Sequence, residues 1–422
     1  MKTVIALGVF LFGVSFANAQ VYIEKQTRHR FAQMNFGLDF QRSWSGETSF
    51  INSQGTTETM TLPSLQRSRI LIGGTHFWGH ADFYIAIPVY HPLFEDQEQE
   101  ISFSSGVETV FKYYPWRIKH HRFRPFLGGS LAPFTYVQNN LNFPDKNGPE
   151  ITHTSLPLVG GFTFNHKNHL LEISALFNYA SRENYFISKG DAVEIQTPPL
   201  YISVSWRLML ETTLSAEKDW ESGKTEEVTQ ILAEKKKLNS LFIGAGMSSS
   251  WWMGKSRYNQ FRNIFIPANG VTVMPDFALG YYFHKPDLNF SFNYRSYRYK
   301  SLTYGVNQKS LRRSVGFEAT KYLFDYHGFA PFAGPVLTFE DLAFEEKIGN
   351  DVLLEIQDQF VGYGITFGWD IRPNRLQSFL LRTNLRYFPQ LRLNGNTAET
   401  SVNFRNIEFN FIQLIVYPGR MF

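Results

Sequence analysis

Gly106-Val-Glu108 leads to Lys112-Tyr113-Tyr114, then to a basic turn, then to Phe123-Arg-Pro-Phe126-Leu-Gly-Gly129. Some 200 residues on, Gly316-Phe-Glu318 leads to Lys321-Tyr322, a shorter turn, and Phe329-Ala-Pro-Phe332. The echo has an internal gap of one residue, and each copy holds the same place in a longer series of alternating segments. A repeat of this length means two copies of one structural unit, and the unit's pattern is that of membrane-spanning β-strands.

Working outward, the first half reads as strands near Met34–Ser45, Leu65–Phe77, Ala81–Leu93, Glu100–Tyr114, Phe123–Gln138, Ile151–Asn165, His169–Ile187 and Val193–Leu210. The second half repeats the series near Leu241–Trp252, Val271–Phe283, Leu288–Tyr304, Leu311–Phe324, Phe329–Leu342, Leu353–Asp370, Phe379–Leu393 and Val402–Tyr417. Leu288, Phe290, Phe292 and Tyr294 share one face, while Asn289, Ser291, Asn293 and Arg295 share the other. Loop lengths alternate as well. Short turns such as Trp78-Gly79-His80 and His284-Lys-Pro-Asp287 take turns with long polar connections such as Gly46–Ser64 and Met253–Gly270. Short inner turns and long outer loops are the asymmetry of an outer-membrane barrel, and a soluble sandwich has no reason to obey it twice.

The first nineteen residues read as a cleaved export signal: Lys2, an apolar run from Val4 to Phe16, and a small-x-small site at Ala17-Asn18-Ala19. Removing Lys2 lowers the formal net charge from +4 to +3, too little for a nucleic-acid partner, which calls for a concentrated basic face. The absence of cysteine rules out disulfides, thiolate metal sites and thiol nucleophiles. Aromatic residues make up 17% of the chain and charged ones only 18%, against roughly 25% charged in soluble domains.

The block Ser102–Tyr136, and again Ser314–Leu337, resembles the middle of the small eight-stranded outer-membrane β-barrel domains of the OmpA/OmpW-like type. The resemblance implies an antiparallel all-β barrel unit present in two tandem copies. It says little about activity, since such domains serve as pores, adhesins, anchors and occasionally enzymes. It divides the chain into a signal (1–19), a periplasmic N-terminal segment (20–33), a first eight-strand repeat (34–211), a periplasmic linker (212–239) and a second repeat (240–422). Within the linker, Thr225 can cap a short helix, with Glu226 and Glu227 in its first turn and Lys235, Lys236 and Lys237 in its last. The terminal Phe422 resembles the signal that such barrels present to their assembly machinery. Two closures are open. The long linker argues for two eight-stranded barrels, whereas a single terminal signal argues for one sixteen-stranded barrel, which is favoured. Sixteen strands would leave an aqueous channel; eight leave an interior just filled by side chains.

By alternation, Arg69, Glu108, Glu172, Arg207, Arg295, Glu318, Arg382 and Arg386 face the lumen. They read either as a network of ion pairs or as a charged constriction setting solute selectivity. Trp251, Trp252, Trp369, Tyr387 and Tyr417 read as aromatics of the membrane interface. The histidines are scattered and show no metal-ligand spacing, and no phosphate loop or dinucleotide fingerprint is present. The expected role is a passive, non-enzymatic channel for small solutes, without cofactor or metal. The alternative is an accessory barrel docking a secretion or surface complex through a periplasmic or surface protein partner. A lipid-modifying enzyme trails, because no serine, histidine and acid are singled out locally. The partners common to these readings are outer-membrane lipid and the barrel assembly machinery.

Overall fold

The computed structural model describes residues 31–52, 54–62, 64–89, 93–95, 99–118, 122–140, 148–211, 230–267, 272–325, 328–372, 378–393 and 402–421. The signal, the linker segment carrying Thr225, and Phe422 lie outside them; residues 230–234 are helical.

The first half runs β1 (Ala32–Ser43), β2 (Gly46–Ile51), β3 (Thr57–Leu62), β4 (Gln66–His76), β5 (Ala81–Pro88), β6 (Leu93–Glu95), β7 (Gln99–Ser105) and β8 (Glu108–Tyr113). It continues with β9 (Arg122–Asn140), β10 (Ile151–Ser155), β11 (Leu158–His166), β12 (His169–Phe177), β13 (Arg182–Phe186), β14 (Ala192–Gln196) and β15 (Leu200–Glu211). Eight of these close a ring in the order β11-β12-β15-β1-β4-β5-β8-β9, with β9 pairing back onto β11 through Gly129 and Leu158. First strand meets last where Met34 pairs with Leu210.

The second half is a closed barrel of β16 (Ser240–Trp252), β17 (Thr272–Phe283), β18 (Leu288–Thr303), β19 (Val306–Tyr322), β20 (Phe329–Ile348), β21 (Asp351–Ile371), β22 (Phe379–Leu393) and β23 (Val402–Val416). Here β16 pairs with β23, Ile243 opposite Val416. The favoured single sixteen-stranded barrel is therefore corrected to two barrels of eight. With eight strands per half, the first and last of each run antiparallel with their edges free. Closing within a half pairs both of those edges at once.

The alternation has the sense that lipid demands. Along β1, Asn35, Gly37, Asp39 and Gln41 are buried while Phe36, Leu38 and Phe40 are exposed. Along β18, Asn289, Ser291, Asn293 and Arg295 are buried while Phe292 and Tyr294 are exposed. A protein folded in water buries the opposite set. Buried polar and exposed apolar residues on closed ladders make a lipid-facing wall around a polar interior.

The strands outrun the membrane. β20 and β21 span 20 and 21 residues, about twice the nine to eleven that cross a tilted bilayer. In the second barrel the surplus stands as a four-stranded wall, β18 to β21, which pairs with β17 only as far as Tyr294 and with β22 only from Ile365. In the first, the strands break above the belt and regroup. β13-β14-β2-β3 form a separate sheet, and β6, β7 and β10 gather on the upper part of β9. Among the described residues, β9 alone runs unbroken from barrel to outer lobe. Leu65, Ile101, Phe134, Tyr136 and Tyr185 pack the lobe's core. The hairpin β2–β3 corrects the reading of 46–64 as a plain loop. Its short strands carry few apolar residues, but Phe50 and Leu62 are buried.

The barrels touch along one side with like ends together. Phe77 meets Phe329 edge-on at 5.0 Å at the short-turn end, and Phe83 meets Trp369 at 5.8 Å. At the long-loop end the Tyr304 hydroxyl donates to the Phe186 carbonyl at 2.8 Å.

Candidate functional site: two charged lumens

The repeated motif builds both interiors, and its one-residue gap decides how. Glu108 and Glu318 both point inward and are buried. From Glu108 the next inward positions are Val110, Lys112 and Tyr114, all buried. From Glu318 they are Thr320 and Tyr322, so Lys321 turns outward and is exposed. The gap therefore places a buried lysine in the first lumen only. Gly316 has a separate duty: a Cβ there would stand 2.8 Å from the Arg295 guanidinium.

In the first lumen four acids, Asp39, Asp82, Glu108 and Glu172, face four bases, Arg69, Lys112, Arg124 and Arg207, all buried. Arg69 bridges Asp39 (2.8 Å) and Glu108. Arg207 bridges Asp82 (2.7 Å) and Glu172 (2.9 Å), and Lys112 also binds Glu172. The Lys112 ammonium lies 4.5 Å from the centre of the Tyr84 ring and 4.6 Å from that of Phe126, so the charges are wedged among aromatics. At the short-turn end, Arg124 donates to the carbonyls of Gly79 (3.0 Å) and Trp116 (3.2 Å) and draws those turns across the mouth.

The second lumen is a longer chain of charge. Arg312 grips Glu340 with two nitrogens at 2.6 and 2.7 Å and reaches Glu408 at 2.8 Å. Arg386 joins Glu318 (2.5 Å) to Asp276 (2.8 Å). Arg295 sits 3.2 Å from Glu408 and 3.5 Å from Glu318. Arg382 makes a fork to both Asp370 oxygens at 2.8 Å, and Tyr322 donates to the same carboxylate. Aromatic layers close both ends. Phe242, Tyr282, Tyr322 and Tyr417 cluster at the short-turn end, with the Arg420 guanidinium 4.4 Å over the Tyr417 ring. At the other end Trp252, Tyr297, Tyr299, Phe388 and Phe404 cluster.

Above that layer, the segment after β16 folds back as a lid. Ser256 caps α1 (Arg257–Phe261) by accepting the Asn259 N–H at 3.1 Å. Tyr258 and Asn263 then donate to the buried Glu346 at 2.9 and 2.8 Å, and Asn259 donates to Gln308 at 2.9 Å. Burial pushes the Tyr258 hydroxyl up to about 12, so it stays a donor to Glu346 at neutral pH.

All eight charged residues singled out from sequence thus lie inside a barrel, each with a partner of opposite sign. Sequence reasoning missed Asp39, Asp82, Lys112, Arg124, Asp276, Arg312, Glu340, Asp370 and Glu408. Their signal was available: Asp39 between Leu38 and Phe40 can avoid lipid only by facing in.

The interface aromatics divide. Trp251 and Tyr387 are half-buried on the outer wall, Trp251 stacking on Phe409 at 6.1 Å. Trp369, on the same wall, covers the seam between the barrels. Trp252 and Tyr417 are corrected from interface to interior, being 5% and 2% exposed. Successive strand residues point to opposite faces, so Trp251 and Trp252 cannot both meet lipid. Accordingly, Trp252→Ala, which empties space 4.0 Å from the Phe404 ring, will destabilise the fold by about 3–5 kcal/mol in urea titrations in detergent. Trp251→Ala will cost under half of that.

No protein-family model and no curated protein matches the chain. Solved structures similar to it include Neisserial surface protein A, at 18% identity over 42% of this chain and 98% of that one, TM-score 0.30. An outer-membrane channel from Pseudomonas putida F1 shares 8% identity over 93% and 96%, TM-score 0.21. The P. putida toluene transporter TodX shares 9% over 92% and 90%, TM-score 0.19. These likenesses are too weak to carry an assignment. The closed ladders, the apolar outer wall and the polar interior carry it: the chain is a tandem pair of small eight-stranded barrels of the outer-membrane type.

Proposed function

We propose that this chain is an accessory outer-membrane protein, a non-conducting barrel pair that meets a surface or secretion complex through its outer extensions. The supporting observation is the filling of both interiors. Paired charges occupy each mid-section, turn residues or aromatic rings close the short-turn ends, and α1 lids the second barrel. An aqueous channel was the consequence of sixteen strands, and eight leave no such lumen. Function then falls to what stands outside the bilayer, the lobe of the first barrel and the tall wall of β18 to β21. No reaction is assigned to it.

Full-length protein reconstituted at high load in a planar bilayer will show no stepwise conductance. Reproducible steps would restore the solute-channel reading. Extraction in a gentle detergent should recover a stoichiometric partner, and a lone monomer would count against the accessory role.

A further inference from the structure

At the top of the lipid belt, the outer wall of the second barrel changes chemistry strand by strand. On β18 the outward Phe292 and Tyr294 are 61% and 51% exposed, and the next outward positions up are Ser296, Arg298 and Lys300, all exposed. On β19 the outward Val315, 48% exposed, is followed upward by Arg313, Leu311 and Lys309. On β20 and β21 the apolar rows end at Phe339 and Val361 and give way to Asp341 and Gln359. Arg298, Lys300, Lys309 and Arg313 therefore gather just above the apolar rows of two neighbouring strands, and β18 and β19 place no acid among them.

The register brings the four together. Lys300 stands directly opposite Lys309, and Arg298, opposite Leu311, lies diagonally between Lys309 and Arg313. Like charges facing across a ladder are destabilising, and the acids of β20 relieve little of it. Asp341 stays 3.8 Å from Arg313 and accepts from Gln357 at 2.9 Å. Glu345 is 3.7 Å from Lys309 but 2.7 Å from Lys347. Among the described residues, no acid pairs with Arg298 or Lys300. The belt sets membrane lipid against Tyr294 and Val315, so the headgroups of that same lipid meet the four cations. Arginine takes phosphate oxygens with paired N–H groups, and lysine adds a point charge. We propose that this face of β18 and β19 is a binding site for the phosphate-bearing headgroup of an anionic lipid in the outer leaflet. Arg298 and Arg313 hold the phosphate nearest the acyl chains, and Lys300 and Lys309 the charge farther out. The site rests on the lipid-facing wall and goes beyond the accessory reading.

The test is native mass spectrometry of the full-length protein in neutral detergent. It is titrated with lipid A, which carries a phosphate at each end of its headgroup, and with phosphatidylcholine, whose headgroup has no net charge. Lipid A should be retained one per chain, and about tenfold more tightly than phosphatidylcholine. Arg298→Gln with Arg313→Gln should weaken lipid A binding about tenfold, the size of one lost charge-assisted hydrogen bond. Should that variant fail to fold, Lys300→Gln with Lys309→Gln carries the same expectation. Arg182→Gln, on the exposed β13 of the first barrel's lobe and 3.2 Å from Glu194, should leave binding unchanged. Phosphatidylcholine held as firmly as lipid A, or lipid A held undiminished by the variants of β18 and β19, would overturn the site. An equal loss in the Arg182 variant would mean a response to overall charge and would overturn it too. Inorganic phosphate displacing lipid A at equal concentration would mean a free-anion site and overturn the lipid.

Discussion

Replacing Arg312 by methionine will destabilise the second barrel by about 3–5 kcal/mol, the loss typical when one partner of a buried ion pair is removed. Arg312 is 1% exposed and holds Glu340 in a fork while donating to Glu408 and, at 3.0 Å, to Asn406. Its guanidinium also lies 5.0 Å from the centres of the Tyr297 and Phe388 rings. Methionine fills much of that volume but leaves two carboxylates facing each other in a site without water enough to solvate them. The measurement is urea unfolding in detergent micelles, followed by tryptophan fluorescence. Neutralising both acids in the same chain, Glu340→Gln with Glu408→Gln, should recover most of the loss, because what hurts is the uncompensated charge rather than the missing pair, and Arg295, left without Glu408 at 3.2 Å, still has Glu318 at 3.5 Å. A single variant within 1 kcal/mol of wild type would mean that the interior is wet.

Leu337→Arg will cost about 2–4 kcal/mol, the range for a cation at the bilayer midplane on the lipid face of a barrel. Leu337 is 53% exposed on β20, between Phe317 and Tyr363 on its neighbours. The control is Val352→Arg on β21. Val352 is equally open at 50%, but it sits opposite Lys347 beside the hairpin tip. There the change should fall within about 0.5 kcal/mol, as for an ordinary surface site. Exposure alone cannot separate the two positions; only a membrane across the Leu337 level does. Equal effects at both sites, measured by refolding into lipid vesicles, would remove the lipid belt from the second barrel.

The belt itself was legible in the sequence because a strand has only two faces, and a two-residue period survives without knowledge of neighbours. Asn289, Ser291, Asn293 and Arg295 declare their side of β18 wherever β18 lies. Closure was not legible. The bond between Ile243 and Val416, or between Met34 and Leu210, joins segments more than 160 residues apart, and nothing in either segment names its partner. Tryptophan side chains misled for the same reason in reverse. In Trp251-Trp252 the residue type suggests a girdle, whereas the two-residue period assigns one ring to each face. The ion pairs lay between these extremes. Each charge announced that it faced inward, but which acid met which base depended on how the ring closed.

The breaks that divide the first barrel from its lobe have a mechanical corollary. Hydrogen-bonded ladders resist bending, and a segment attached through few of them opens and shifts at low cost. The second half raises the continuous four-stranded wall of β18 to β21 above the bilayer, whereas the first balances its crown on the single spine of β9. Side by side, the pair would answer a sideways pull unequally, one column standing stiff while its neighbour nods.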